Sequence, residues 1–278
     1  MKEALSFCLV ALISGFSNAA EEIPNTKLLE KDGNEVRWGQ SKNNDDSCLP
    51  SYNYLCPRYN PDDQCGHMLA GCGAIAMAQI MWKWSYPDES KYNVYDWDKM
   101  PSDLIDGCST DCPKLISDCG KACKMNYQSI GGFELPVITG SWATISNIAK
   151  GFADFDYSAR IVDSDDWKKY GTAWADLIRS EIDCGRPVLM YGKHNIIEIS
   201  EKHYFVIDGY SMTDKNLFHV NWGWRGNKNG YYDLEKCGYS NGQKIIIGIA
   251  PKYSGKAAYP KITVKKENDI ITRNCLDG

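Results

Sequence analysis

AGCGAIAMAQIMWKW, residues Ala70 to Trp84, is a nearly continuous apolar run with one thiol, Cys72, at its mouth. Small residues and glycine precede the thiol, helix formers follow it, and Pro87 lies just past the run, so the spacing predicts a helix beginning at about Cys72. Ala74, Ile75, Met77, Ile80, Met81, Trp82 and Trp84 leave almost no polar face, which predicts a helix buried inside a domain. A thiol at such an N-terminus meets unpaired N–H groups and the positive end of the helix dipole, and both favour the nucleophilic thiolate. Taken alone, the run fits equally a core helix whose thiol packs as a small hydrophobe.

Working outward, the 278 residues suffice for one large domain or two lobes sharing a cleft. A formal net charge of -5, with the charged residues scattered, leaves no basic footprint for nucleic acid. Residues 1–20 read as a secretory signal peptide: Lys2, an apolar stretch from Leu5 to Phe16, then small residues at Asn18, Ala19 and Ala20. No later stretch is apolar for long enough to span a bilayer. The expected location is therefore extracellular or periplasmic, and a monomer is expected.

Of twelve cysteines, Cys8 leaves with the signal and eleven remain. An odd count in an exported chain predicts one free thiol and five bridges. Only Cys72 opens a helix that contains no other cysteine. Cys108, Cys112, Cys119 and Cys123 fit no common zinc spacing, and an oxidising compartment favours disulfides there over a metal. No cofactor is implied.

Residues 21–36 are polar and read as a flexible leader or short pro-segment, ahead of a domain spanning 37–251. Within that domain, 37–185 reads as a helical lobe, with further helices around Asp111 to Asn126, Trp142 to Gly151 and Trp174 to Ile182. From about residue 186 the sequence turns to strands, PVLMYG, HYFVIDGY, NLFHVNWGW, GYYDLE and KIIIGIA, and predicts an antiparallel sheet or half-barrel. Helices first and strands second is an α+β pattern of two lobes around a cleft. Residues 252–278 form a polar tail.

A catalytic thiol needs a base and a group that orients the base. Of the four histidines, His203 is expected to open a strand at the mouth of a cleft, after the surface excursion KHNIIEISEK. A hairpin across SMTDKN returns Asn221 and Trp222 to its neighbourhood. Asn221 is then placed to accept the imidazole Nδ1–H and leave Nε2 facing the thiol, with Trp222 covering the bond. Gln64 and His67 precede Cys72 closely enough to be candidate oxyanion donors.

These residues resemble the streptopain family of secreted, papain-like cysteine peptidases, most closely in GCGAIAMAQIMWKWSYP, in HYFVIDGY and in the tryptophan-rich segment around Asn221 and Trp222. WGQ, YDWDKMP, GRPVLMYG and IIIGIAP follow the family's order from Trp38 to Pro251. The resemblance implies a papain-like two-lobed fold with a central buried helix. It implies peptide-bond hydrolysis through a thioester on Cys72, with His203 as general base and a protein or peptide as substrate. Tyr204 stands where the family has a small residue, and Tyr191 where streptopain has Gln. A papain-like amidase or acyltransferase, and an inactive disulfide-stabilised binding module, are the alternatives.

Overall fold

Gly71 takes φ +88°, a conformation that side-chain-bearing residues rarely adopt, and a Cβ there would lie 2.7 Å from the Met125 side chain. From it the chain enters α1, Cys72–Trp84, whose residues Gly73 to Trp82 are all buried. The helix stops at Ser85, which is left-handed (φ 46°) and whose N–H returns to the Trp82 carbonyl. This computed structural model describes residues 27–40, 51–58, 66–104, 110–130, 138–163, 174–196 and 199–253. The signal peptide reading, Gln64, Cys48, Cys65, Cys108, Cys275 and the tail beyond Tyr253 lie outside the described residues.

Ahead of α1, β1 (Glu30–Lys31) and β2 (Asn34–Glu35) make a short hairpin. After it come α2 (Asp111–Ala122), the antiparallel pair β3 (Asn126–Ile130) and β4 (Ile138–Trp142), α3 (Ile145–Asp154) and β5 (Tyr157–Asp163). Thr144 caps α3 by accepting the Asn147 N–H at 3.2 Å. The expected start at Trp142 was thus three residues early, because Trp142 still belongs to a strand.

α4 (Trp174–Asp183), β6 (Val188–Ile196), β7 (Ile199–Tyr210), β8 (Leu217–Asn221), β9 (Gly230–Asp233) and β10 (Asn241–Pro251) complete the chain. Six strands form one antiparallel sheet in the order β5-β10-β6-β7-β8-β9. Side chains alternate along it, and both faces are covered. Leu189, Tyr204, Val206 and Ile246 join the core around α1, whereas Val188, Phe205, Ile207 and Ile245 pack with Leu177, Ile178 and Ile182 of α4. The α+β order of helices followed by an antiparallel sheet is as expected.

Three expectations need correction. Residues 27–36 are not a flexible leader: Leu29 and Val36 are fully buried, and the Leu28 and Leu29 N–H groups donate to the main-chain and side-chain oxygens of Asp208. Nor does the surface excursion before His203 run as a loop in its described residues. Lys193↔Lys202, His194↔Glu201 and Ile196↔Ile199 continue the β6–β7 ladder almost to its tip, so His203 lies inside β7 rather than at its start.

Five bridges are also ruled out. Besides Cys72, the residues Cys56, Cys119, Cys123 and Cys237 are free buried thiols, while Cys184 is disulfide-bonded. Cys119 Sγ rests 3.6 Å from Met81 Sδ, and these α2 thiols face the core as small apolar groups. Parity counts cysteines and cannot detect that their helix turns them inward.

Candidate active site

Cys72 is half-buried and lies on the wall of a cleft of about 750 Å³. One side of the cleft is built by Ser141 to Ile145, between β4 and α3, and the other by Tyr191, Lys193, Lys202, Tyr204 and Lys244 of the sheet. Gly73, next in α1, packs closely on the tip of Ile148, since a Cβ would sit 2.8 Å from Ile148 Cδ1.

Two opposing effects act on the sulfur. Burial pushes the Cys72 thiol up from its ordinary value, and this effect is the larger. The backbone N–H groups of Tyr204, Gly73 and Cys72 itself hydrogen-bond the sulfur and pull in the other direction. The helix N-terminus therefore contributes as expected, but desolvation outweighs it. The resting sulfur is a thiol, not the thiolate expected from helix position alone.

The Tyr204 N–H brings the sulfur against the backbone of the residue that follows His203. The imidazole itself is 4% exposed and caged by aromatic rings, with Trp224 and Tyr239 each at 5.0 Å and Trp222 stacked at 6.2 Å. Its Nε2 is 2.9 Å from the Trp222 carbonyl. A carbonyl only accepts, so Nε2 carries the hydrogen and Nδ1 keeps its lone pair. Burial lowers the imidazole to about 4, against a smaller raising effect of the Trp222 carbonyl, so the ring is neutral near pH 7.

The hairpin joining β7 and β8 forms as expected, yet the orienting group differs. Val206↔Asn221 pairing turns Asn221 to the face that carries Tyr204 and Val206, away from the imidazole. There its Oδ1 accepts from Gln79 Nε2 at 3.1 Å and Gly223 N–H at 3.0 Å, and its Nδ2 donates to the Val36 carbonyl at 2.7 Å. Asn221 thus ties α1 to the strand end, and the main chain of Trp222 takes the bond to the histidine. The tautomer is consequently the reverse of the expected one. His67 is occupied elsewhere, with its Nδ1 2.7 Å from the Cys56 carbonyl, and it does not line the cleft.

Two features escaped sequence reasoning. Tyr239, from the turn before β10, completes the cage around His203. Tyr204 reaches across the cleft floor, where its hydroxyl donates to the Ala143 carbonyl at 3.0 Å and its ring lies 5.1 Å from that of Tyr191. The bulk of Tyr204 was visible in sequence, but its partner on the far wall was not.

The Peptidase C10 family model matches residues 46–232. The thiol protease/hemagglutinin PrtT of Porphyromonas gingivalis is 28% identical over 246 residues, covering 74% of this chain and 27% of that protein. Streptopain of Streptococcus pyogenes is 24% identical over 249 residues, covering 72% of this chain and 58% of streptopain. The chain therefore spans well under two thirds of the length of these relatives. Among solved structures, the active wild-type interpain A cysteine protease of Prevotella intermedia superposes with a TM-score of 0.61 at 25% identity, covering 80% of this chain and 93% of that one. The α+β fold is that of this cysteine protease.

Proposed function

Because this chain belongs to the Peptidase C10 family, we propose that it is an exported cysteine endopeptidase in which Cys72 is the nucleophile and His203 the general base. The observation that carries the proposal is the position of the Cys72 sulfur. It lies in an open cleft at the N-terminus of a buried helix and accepts the backbone N–H of Tyr204, the residue that follows His203 on β7, although the imidazole itself does not line that cleft.

With thiol and imidazole both neutral at rest, proton transfer accompanies attack. Cys72 Sγ bonds to the scissile carbonyl carbon while its proton passes to His203 Nδ1. The oxyanion that forms is stabilised by the Cys72 N–H at the helix N-terminus. Collapse breaks the C–N bond, and the amine leaves with the proton from Nδ1. Water then attacks the thioester carbon, giving a proton to Nδ1, and collapse breaks the C–S bond, so that the carboxylic acid is released as Sγ takes the proton back from Nδ1. Throughout, the Trp222 carbonyl holds Nε2–H and the surrounding rings exclude water, which strengthens that bond.

Export rests on the signal-like residues 1–20, and among the described residues no helix is long and apolar enough to cross a membrane. Cys72→Ala should abolish both peptide hydrolysis and labelling by a thiol-directed epoxide, with an unchanged near-UV circular dichroism spectrum. Hydrolysis retained in that variant overturns the assignment.

A further inference from the structure

Lys193 and Lys202 stand directly opposite each other on β6 and β7, and both line the cleft that holds Cys72. Like charges facing each other across a ladder destabilise it. The next pair along, on the alternate face, is complementary: His194 opposes Glu201. Lys244 of β10 lines the same wall, but its ammonium is bound to Asp163. Neither Lys193 nor Lys202 forms an ion pair with any described residue. Two cations with no ion-pair partner among the described residues thus face one cavity in a chain whose formal net charge is -5. Beside them the Tyr191 and Tyr204 rings fill the cleft floor and form a low-dielectric wall, which focuses the field of the two ammonium groups.

We propose that Lys193 and Lys202 form a subsite for an acidic side chain of the peptide in the cleft, so that substrates carrying Asp or Glu beside the scissile bond are preferred. The inference rests on the peptidase reading of Cys72 for its catalytic consequence, but not for binding. A carboxylate between the two ammonium groups relieves their repulsion and forms charge-assisted hydrogen bonds. It also supplies a partner that none of the described residues provides.

Two measurements test the subsite independently. In the first, wild type and the Lys193→Gln/Lys202→Gln variant are compared on quenched fluorescent peptides in which Asp or Glu replaces Asn or Gln at each position near the cut. Wild type should favour the acid at one position by about tenfold in kcat/KM, and the variant should lose that preference while cutting the neutral peptides within about twofold of wild type. Raising salt to about 0.5 M should shrink the preference. In the second, the same peptide pairs are titrated by fluorescence anisotropy onto Cys72→Ala, with and without the lysine substitutions. The acidic peptide should bind more tightly, and only when the lysines are present. Neutral peptides cut with no acid preference, or a preference that survives loss of both lysines, would overturn the subsite. If no peptide is cut but lysine-dependent binding of the acidic peptide persists, the subsite stands and the peptidase assignment falls.

Discussion

Replacing His203 by Phe should change how folding stability depends on pH. The cage of Phe205, Trp222, Trp224 and Tyr239 already accommodates a planar ring, so the variant keeps the packing and removes only the titration and one hydrogen bond. In the unfolded chain the imidazole titrates near 6.5, while in the folded protein burial lowers it to about 4. Between those values the unfolded state holds a proton that the native state does not, so stability falls as pH falls. It is complete above the unfolded value and lost as pH drops through the window to about 4. The interval of about 2.5 units, at 1.36 kcal/mol per unit, corresponds to about 3 kcal/mol. Urea unfolding followed by tryptophan fluorescence, in a Cys72→Ala background, would measure it between about pH 7.5 and about pH 4. Carboxylates titrate alike in both proteins and cancel in the difference. Wild type should lose about 3 kcal/mol more than His203→Phe across that interval. Parallel pH curves for the two proteins would refute a buried neutral imidazole.

Iodoacetamide should alkylate Cys72 ever faster above about pH 8.5, since burial raises the thiol, and a rate plateau near pH 5 would contradict this. Leu29→Ala should destabilise the protein by about 2–5 kcal/mol in urea melts, because Leu29 is fully buried, whereas a dispensable leader would show no change. Glu181→Ala should cost about 3–5 kcal/mol, since the carboxylate accepts two bonds from buried Arg186 and one from the Gly248 N–H. Tyr204→Phe should cost about 1 kcal/mol through loss of the bond to Ala143.

The helix at Cys72, the β7–β8 hairpin and the order of helices before sheet were legible because each rests on local signals: an apolar run closed by Pro87, and apolar strands separated by turn residues. The flexibility expected of residues 27–36 was misread because Leu29 and Val36 are sparse apolar residues in a polar stretch, and what buries them, like the bonds of Leu28 and Leu29 to Asp208, comes from distant parts of the chain. Asn221 was misassigned for a geometric reason. A carboxamide one residue from an indole looks like the natural partner of a histidine, but strand alternation at Val206 sends it to the opposite face. The thiol's protonation was misjudged because helix position is written in the sequence and desolvation is not. Tyr204 and the lysine pair were visible as residues, whereas their shared cleft emerges only from the β6–β7 register.

The bond from His203 to the Trp222 carbonyl gives the site an unusual kind of durability. Every residue bears a carbonyl, so no side-chain substitution at position 222 deletes the acceptor, and random mutation can disturb it only by moving the strand end. An alanine scan would therefore report no residue in this role, although the histidine depends on it. Exposing the contribution takes chemistry on the backbone: an ester linking Trp222 to Gly223 weakens the oxygen, and an Asn221→Ala variant controls for the Gly223 N–H bond that the ester also removes. Selection on this orienting contact thus acts on the path of the chain rather than on the identity of any one amino acid.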